Sequence, residues 1–598
     1  MLEGAHPLGG LGLASGTSAV FYSIINVAGE GDNIISARNL YGGTYTQFND
    51  ILPKFGIEVR FVDSTDPKNF AAVADTKTRA FFCETCSNPA CEVVDLKAVA
   101  DSAHAAGVPL IVDATFSTPY LTKPISFGAD VVIHSLTKWL GGHGTGLGGI
   151  VIDAGTFNWG AKHPLYNEPD TSYGGLRWGI DLPAPLLPLA FILRMRTVPL
   201  RNLGACISPD NSWMFLQGIE TLPLRMEKHC SNALAVAKFL KGHAKVAWVK
   251  YPGLEDDKFY ELQKTYLKGK GGSMVVFGVK DGVDAGKQLI ESLTVFSHVA
   301  NVGDAKSLAI HPASTTHSQL NAEAQVKAGI PPEMVRLSVG IEDPADLIAD
   351  LEAALTSTTK PETGCSLTVH EGKVAGKDAA FDTLCLHAGY GPDGTTSRGV
   401  PLYRTSPFVF KSTDHAAKLF ALAELGNIYT RLMNPTTDIL EKRVSMLEGA
   451  HPLGGLGLAS GTSAVFYSII NVAGEGDNII SARNLYGGTY TQFNDILPKF
   501  GIEVRFVDST DPKNFAAVAD TKTRAFFCET CSNPACEVVD LKAVADSAHA
   551  AGVPLIVDAT FSTPYLTKPI SFGADVVIHS LTKWLGGHGT GLGGIVID

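Results

Sequence analysis

Short apolar runs bounded by turn-forming residues alternate, along the first 153 residues, with segments whose apolar positions recur at helical spacing. Runs of this kind predict buried strands, and their alternation with helices predicts a mostly parallel sheet covered on both faces. We therefore expect an α/β fold here. The runs predicted as strands are LGLAS (11–15), DNIISA (32–37), EVRFVD (58–63), RAFFCE (79–84), PLIVDAT (109–115), DVVIHS (130–135) and GGIVID (148–153).

Two helices have recognisable starts. One begins at about Asp95 and ends before Gly107, and another begins at the N-cap residue Asp343 with Pro344 in its first position. Residues from about 205 to 357, which include the predicted strand GGSMVVFG (271–278), are expected to form a second α/β layer. The apolar positions on one face of each helix are Leu96, Val99, Ala100 and Ala103, and Leu347, Leu351 and Leu355.

The chain contains an internal repeat, because residues 1–153 recur letter for letter as residues 446–598. Solenoid repeats are shorter and diverge, so the identity indicates an engineered chain, a very recent duplication or a reading frame that continues round a circular sequence. We expect a circularly permuted unit that runs from about residue 366 to 445 and then from 1 to 357, with 446–598 as the alternative to 1–153, and we expect the polar segment 356–364 to be its seam. We expect a large domain at 1–204, a C-terminal α/β domain at 205–357, the seam and an N-terminal arm at 358–445, and a partial second copy of the large domain at 446–598.

Composition narrows the classes of partner and compartment. The formal net charge of −12 argues against nucleic acid or an anionic membrane as a partner. No apolar run approaches the roughly 20 residues of a membrane helix, and the first residues do not resemble a signal peptide. Ten cysteines in 598 residues are too few for a disulfide framework, and Cys83 and Cys86 lack a second pair of metal ligands. We expect a cytoplasmic protein with no metal site.

Polar groups follow several predicted strands directly. Ligands of open parallel sheets bind at the carboxyl ends of the strands, so these groups can converge on one pocket. They are Gly16 and Thr17 after the first strand, Asp113 at the end of PLIVD, and Ser135, Thr137 and Lys138 after DVVIH.

Each group has a structural interpretation beside its chemical one. A partly desolvated lysine has a lowered pKa and becomes a nucleophile, although a lysine at a strand exit, taken by itself, is more often a surface lysine. Asp113 can pair with the protonated nitrogen of an aromatic cofactor or cap a turn. The N–H groups of Gly16 and Thr17 open a helix and can hold a phosphate, although one glycine is a weak signal.

Two further residues suit ligand binding in the same way. Tyr41, in NLYGGTY, can stack on a ring, although a lone tyrosine more often lies in a core or an interface. Arg336, in MVRLSVG, suits a carboxylate held by two hydrogen bonds, although a surface ion pair is the more common use of a lone arginine.

Together these residues resemble the transsulfuration enzymes of cysteine and methionine metabolism, which use pyridoxal 5′-phosphate (PLP). The resemblance spans essentially the whole unit once the permutation is undone. It implies the PLP-dependent transferase fold of type I, with a mostly parallel large domain and a smaller C-terminal α/β domain. The matching segments are YTRLMNPT (429–436), LASGTSA (13–19), LYGGT (40–44), ETCSNP (84–89), VDATFSTPY (112–120), HSLTKWLGGH (134–143), SPDNSWMFLQGIETLPLRMEKH (208–229), NVGDAKSLAIHPASTTH (301–317) and VRLSVGIED (335–343).

The resemblance implies a role for each matching residue. Lys138 would carry PLP and act as general base and acid, with Tyr41 stacked on the ring and assisting near the reacting carbon. Asp113 would pair with the ring nitrogen, Asn88 would lie near the ring hydroxyl, and Arg336 would bind the substrate carboxylate. The substrate site would also include Asn301, and the phosphate would be held by Gly16, Thr17, Ser135 and Thr137, and by Tyr429 and Arg431 of a neighbouring subunit. The counterparts in the second copy are Gly461, Thr462, Tyr486, Asn533, Asp558, Ser580, Thr582 and Lys583.

Within the family, the segments 169–178 and 301–308 look most like the O-acetylhomoserine sulfhydrylases. The implied reaction is γ-replacement on O-acetylhomoserine by sulfide or methanethiol, giving homocysteine or methionine plus acetate. A cystathionine γ-synthase, a cystathionine γ-lyase or a methionine γ-lyase is the alternative within the family. The other alternative is a non-catalytic permuted or duplicated assembly that retains the fold. The implied partners are small molecules, and the implied assembly is a homodimer or homotetramer with sites shared between subunits.

The duplication leaves two lysines of the right kind but one Arg336. Residues 1–153 continue directly into 154–357, so we expect Lys138 to be the catalytic lysine and Lys583 to be idle or only partly loaded with cofactor.

Overall fold

The apolar runs of the first 153 residues form a seven-stranded sheet with the order β1-β7-β6-β5-β4-β2-β3. The strands from β6 to β3 are parallel, whereas β7 is antiparallel to both β6 and β1. The computed structural model describes residues 1–88, 90–315, 323, 325, 329–357, 379–392, 394–405, 407–430 and 432–598. The strands are β1 (Gly10–Leu13), β2 (Asn33–Ala37), β3 (Glu58–Val62), β4 (Thr78–Glu84), β5 (Leu110–Asp113), β6 (Val131–Ser135) and β7 (Gly149–Asp153).

The chain divides into two compact units, residues 1–364 and 365–598. In the first unit the central strands are apolar along their length because helices cover the sheet, and Phe81, Ile111 and Val132 are fully buried. The predicted helix after Asp95 is present, and the Asp95 carboxylate accepts the N–H of Ala98 at 3.1 Å. The α-helices of residues 1–204 are α1 (Gly16–Ile25), α2 (Gly42–Thr46), α3 (Lys68–Ala72), α4 (Leu96–Ala105), α5 (Thr118–Leu121), α6 (Trp159–Lys162), α7 (Pro164–Asn167), α8 (Ala190–Met195) and α9 (Arg201–Leu203).

Residues 205–357 form the second layer of this unit, a five-stranded sheet with the order β10-β11-β12-β9-β8. Apart from the parallel pair of β10 and β11, its strands are antiparallel. Asp343 caps the last helix, as its sequence predicts, by accepting the N–H of Ala345 at 2.8 Å. The elements are α10 (Pro209–Glu220), α11 (Leu222–Gly242), β8 (Val246–Lys250), α12 (Tyr260–Tyr266), β9 (Met274–Val279), α13 (Gly282–Ser292), β10 (Ser297–His298), β11 (Leu308–Ile310), β12 (Met334–Ser338) and α14 (Pro344–Thr356).

The second unit repeats the seven-stranded sheet with the order β13-β19-β18-β17-β16-β14-β15. Its helix α17 ends in a buried Glu448, which pairs with His579 at 2.5 Å, as Glu3 pairs with His134 at 2.6 Å in the first copy. The elements are α15 (Phe381–His387), α16 (Thr413–Phe420), α17 (Pro435–Glu448), β13 (Gly455–Leu458), α18 (Gly461–Ile470), β14 (Asn478–Ala482), α19 (Gly487–Thr491), β15 (Glu503–Val507), α20 (Lys513–Ala517), β16 (Thr523–Glu529), α21 (Leu541–Ala550), β17 (Leu555–Asp558), α22 (Thr563–Leu566), β18 (Val576–Ser580) and β19 (Gly594–Ile597).

None of the helices in the described part of the chain combines the length and the apolar character needed to cross a bilayer.

Candidate active site

Lys138 lies three residues beyond the end of β6, in a half-buried position where the first layer meets the second. Its amine donates a hydrogen bond to the side-chain oxygen of Asn301. Burial, and then the positive charge of Arg336, lower the pKa of Lys138 to about 8. A substantial fraction of this amine is therefore neutral near neutral pH, and a neutral amine can act as a nucleophile or a base.

Asp113 ends the neighbouring strand β5, where its carboxylate accepts the N–H of Thr115 at 2.9 Å. Burial raises its pKa, and the hydrogen bonds from Thr115 and the charge of His134 oppose this effect. An anion in such a place favours a cationic partner, since the pair replaces the water that the carboxylate has lost.

The amino end of α1 packs closely against the end of β6. A Cβ atom on Gly16 would lie 2.6 Å from the Cβ of Ser135, so any side chain at position 16 would collide with that strand end. Ser15 caps the helix by accepting the N–H of Ser18 at 3.0 Å. The exposed Thr17 opens the first turn, and the amino end of this ten-residue helix suits an anion such as a phosphate.

The predicted hydroxyl donor Thr137 is engaged with the chain that follows it. Its Oγ1 accepts the N–H of Gly148 at 3.1 Å and lies 3.3 Å from the carbonyl oxygen of the same residue. The hydroxyl therefore braces the loop between Lys138 and β7.

Arg336 lies on β12 of the second layer, close to Lys138. Its Nη1 donates to Oδ1 of Asn88 at 2.9 Å, and its Nη2 lies 3.5 Å from the carbonyl oxygen of Asn301. Burial lowers the pKa of Arg336 to about 10, and the nearby Tyr41 opposes this shift. Tyr41 itself is about half exposed. The structure thus brings Lys138, Arg336, Asn301, Asn88 and Tyr41 together.

The loop that carries Lys138 is held by the second layer. The indole N–H of Trp139 donates to Ser273 at 2.8 Å, and Arg225 donates to the carbonyl oxygen of Trp139 at 2.7 Å. The N–H of Ala305 donates to the carbonyl oxygen of Gly142 at 2.7 Å. The orientation of Lys138 therefore depends on residues far away in sequence.

Three residues of the site were missed by sequence reasoning. Glu84 ends β4 beside Asp113, the hydroxyl of Thr115 accepts the N–H of Ser135 at 2.8 Å, and Arg225 holds the lysine loop. The signal for Glu84 was its place at the end of a predicted strand. Thr115 lies two residues after the strand end at Asp113, whereas nothing local distinguishes Arg225 from an exposed helix arginine.

The second copy repeats the strand-end geometry. Asp558 accepts the N–H of Thr560 at 2.9 Å, and a Cβ atom on Gly461 would lie 2.6 Å from that of Ser580. The predicted residues Thr462, Tyr486, Asn533 and Thr582 occupy places equivalent to those of Thr17, Tyr41, Asn88 and Thr137.

The surroundings of the second lysine differ. Lys583 is exposed, and the adjacent Trp584 is 68% exposed, whereas Trp139 is fully buried. Residues 205–357, which cover Lys138, occur once in the sequence. The predicted Tyr429 is 41% exposed and forms a β-bridge with Pro407, and Arg431 lies outside the described residues.

The model of the Cys/Met metabolism PLP-dependent enzyme family matches residues 1–356 and 382–598. The chain belongs to this family. Each of the two matched segments contains one copy of the repeated sequence, and the fold is that of PLP-dependent enzymes of type I.

Relatives in the Cys/Met metabolism family include sulfhydrylases. The chain is 51% identical over 360 residues to the O-acetyl-L-homoserine sulfhydrylase of Leptospira meyeri, a match that covers 59% of this chain and 81% of the relative. It is 45% identical over 354 residues to the homocysteine synthase of Schizosaccharomyces pombe, covering 58% of this chain and 82% of the relative.

Solved structures that are described as O-acetylhomoserine enzymes also match this chain. A crystal structure described as an O-acetylhomoserine (thiol)-lyase of Campylobacter jejuni, with a pyridoxyl-lysine phosphate, matches with a TM-score of 0.57 and 40% identity, covering 60% of this chain and 84% of that one. The O-acetylhomoserine sulfhydrylase of Wolinella succinogenes matches with a TM-score of 0.51 and 35% identity, covering 59% of this chain and 93% of that one.

The first-copy site fits the cofactor of the Cys/Met metabolism family in three respects. The buried carboxylate of Asp113 suits a protonated ring nitrogen. The amine of Lys138, with its pKa of about 8, suits a covalent link to the cofactor. The close approach of Gly16 to Ser135 leaves the amino end of α1 without a side chain where a phosphate would lie.

Proposed function

We propose that this chain catalyses γ-replacement on O-acetylhomoserine, with sulfide or methanethiol as the incoming nucleophile. The observation that carries the proposal is the placement of the Lys138 amine beside Asn301 and near the Arg336 guanidinium. This pairs a proton-transferring amine with a group that binds carboxylates. The choice of O-acetylhomoserine is supported by the names of the relatives.

Arg336 is proposed to bind the substrate carboxylate, because its planar guanidinium can donate two parallel hydrogen bonds. Its Nη1 is already oriented by Asn88 at 2.9 Å, which reduces the freedom lost when a substrate binds. PLP, when bound, supplies an electron sink that stabilises negative charge on the substrate carbons. Asp113 is proposed to keep the ring nitrogen protonated, and Tyr41 to cover the ring.

Lys138 is proposed to move the protons. Its pKa of about 8 lies close to neutral pH, where a general base and acid is most effective. The amine would remove protons from the carbon next to the carboxylate and from the following carbon, and return them after exchange. The bond between the γ-carbon of O-acetylhomoserine and the ester oxygen breaks, and a bond between that carbon and the incoming sulfur forms. Sulfide and O-acetylhomoserine then give homocysteine and acetate, and methanethiol gives methionine and acetate.

The proposed residues of the phosphate site are Gly16, Thr17, Ser135 and Thr137, together with Tyr429 and Arg431 of a neighbouring subunit. This arrangement implies a homodimer or homotetramer with sites shared between subunits. The enzyme is proposed to work in the cytoplasm and to have small molecules as its partners. For the duplicated sheet, we propose that Lys138 is the working lysine, since only Lys138 is covered by residues 205–357 within its own unit.

The test is an assay of the purified holoenzyme with O-acetylhomoserine and sulfide. Homocysteine and acetate should appear in equal amounts, and a variant lacking both Lys138 and Lys583 should be inactive. The same assay with cysteine, and with no thiol, distinguishes the other family activities. Cystathionine as the main product, or a keto acid and ammonia formed without a thiol, would contradict the proposal.

A further inference from the structure

Glu84 is a buried carboxylate at the end of β4 that connects two loops of the site. One of its oxygens accepts the backbone N–H of Tyr41 at 2.7 Å. The backbone N–H of Asn88 donates to the same side chain. The loop after β2 and the loop after β4 are thus tied to one carboxylate.

The second copy contains the same arrangement. Oε1 of Glu529 accepts the N–H of Tyr486 at 2.6 Å, and Oε2 accepts the N–H of Asn533 at 3.1 Å. Glu529 remains buried although the nearby Trp584 is exposed. We call the two hydrogen bonds from these N–H groups to one carboxylate the clamp. The clamp depends on the sheet edge and its two loops, because the second copy forms it without a counterpart of the layer that carries Arg336.

Both clamped residues lie next to Arg336. Asn88 accepts a hydrogen bond from the guanidinium at 2.9 Å, and Tyr41 lies close enough to Arg336 to affect the pKa of the guanidinium. A shift of either backbone would move the groups that orient the guanidinium.

We propose that Glu84 is a positioning residue for capture of the substrate carboxylate, because it holds the backbones of Tyr41 and Asn88, two residues close to Arg336. The inference rests on the proposed function, in which Arg336 binds that carboxylate. Glu84 contacts neither reacting group directly and acts through the two residues that it holds.

The electrostatics are consistent with this role. Burial, and then the nearby Asp113, raise the pKa of Glu84, while the N–H groups of Tyr41 and Asn88 oppose the shift. The Glu84 carboxylate accepts two N–H groups, and in the second copy the equivalent groups bind different oxygens of Glu529. With the same arrangement at Glu84, a glutamine cannot replace the carboxylate without turning its own NH₂ group toward one of these donors. Glu84→Gln therefore breaks the clamp while preserving the size of the side chain.

The experiment compares Glu84→Gln with Glu92→Gln in the holoenzyme. Glu92 joins the same two loops through the side chain of Asn39 at 2.5 Å, but in a half-exposed position and without a bond to the backbone of Tyr41 or Asn88. We expect Glu84→Gln to raise KM for O-acetylhomoserine about tenfold, with kcat and the dissociation constant of PLP changed far less. Glu92→Gln should leave all three close to wild type.

A second readout does not depend on turnover. L-Norvaline carries the same α-amino acid group without a leaving group, and its binding to the holoenzyme can be followed by the change in visible absorption. Its dissociation constant should rise in Glu84→Gln by the same factor as KM. In the double variant with Arg336→Lys, the two losses should be less than additive, because both act on one carboxylate pocket.

Equal effects of Glu84→Gln and Glu92→Gln would overturn the proposal, and so would fully additive losses in the double variant. If Glu84→Gln does not fold, Glu84→Asp provides the same test, since its shorter side chain cannot reach both N–H groups. Failure of the sulfide assay in the wild-type enzyme, together with weakened norvaline binding in Glu84→Gln, would refute the proposed function and leave the positioning role standing.

Discussion

Arg336 and Asn88 join the two layers of the first unit through a buried hydrogen bond of 2.9 Å from Nη1 to Oδ1. They are 248 positions apart in the sequence. The bond places a guanidinium from the second layer beside loops of the first, and Lys138 lies close enough for the charge of Arg336 to lower its pKa.

Arg336→Lys should weaken substrate capture more than cofactor binding. Lysine keeps the charge but loses the planar pair of donors, so the cost in kcat/KM should be on the order of 2 kcal/mol or more. Steady-state kinetics with O-acetylhomoserine measure the cost, and fluorescence titration measures PLP affinity. Arg177→Lys is the control, since Arg177 forms an exposed ion pair with Asp181. An unchanged KM would exclude Arg336 as the carboxylate site.

Lys138→Ala and Lys583→Ala identify the working copy of the duplicated sheet. Lys138→Ala should abolish sulfhydrylation, because Lys138 is half-buried against the second layer, whereas Lys583 is exposed. Lys583→Ala should retain most of it. Borohydride reduction followed by peptide mapping should then place the pyridoxyl label on HSLTK in the second variant. Activity that survives Lys138→Ala and is lost in Lys583→Ala would assign the site to residues 446–598.

The reactivity of Lys138 should depend on pH with a midpoint near its pKa of about 8, well below the usual value of 10.5. Burial, and then Arg336, favour the neutral amine, so PLP attachment to the cofactor-free protein should accelerate as pH rises through this midpoint. The rate is measured by borohydride trapping in the Lys583→Ala background. Arg336→Met should move the midpoint upward. A midpoint of about 10 in the Lys583→Ala variant that keeps Arg336 would refute the prediction.

Trp139→Ala and Trp584→Ala test how strongly the second layer stabilises the sheet. Trp139 is fully buried and hydrogen-bonded to Ser273, so its truncation should cost about 3–5 kcal/mol. Trp584 is 68% exposed, and its truncation should cost about 0.5 kcal/mol or less. Urea unfolding followed by circular dichroism measures both. Equal costs would mean that Trp584 is covered in solution.

Much of the site could be predicted from the sequence because its residues follow recognisable strands. Asp113, Ser135 and Gly16 occupy strand or helix ends, and parallel strands bring such ends to one edge. Arg225 and Glu84 were missed for a different reason. The role of Arg225 depends on which loop packs against its helix, and the role of Glu84 depends on two backbone N–H groups that it receives from separate loops. The local sequence pattern around Arg225 and Glu84 predicts neither of these contacts.

Comparison of the two copies of the duplicated segment shows which features the sequence determined and which the tertiary structure decided. Identical residues form the same strands, helix caps and clamp in both copies, because these depend on local apolar pattern and short-range hydrogen bonds. The environments of Lys138 and Lys583 differ nevertheless, as do those of Trp139 and Trp584. Burial, and with it the lowered pKa of Lys138, comes from residues 205–357 packing onto one copy. Desolvation is a property of what surrounds a side chain, so only the packed structure could decide it.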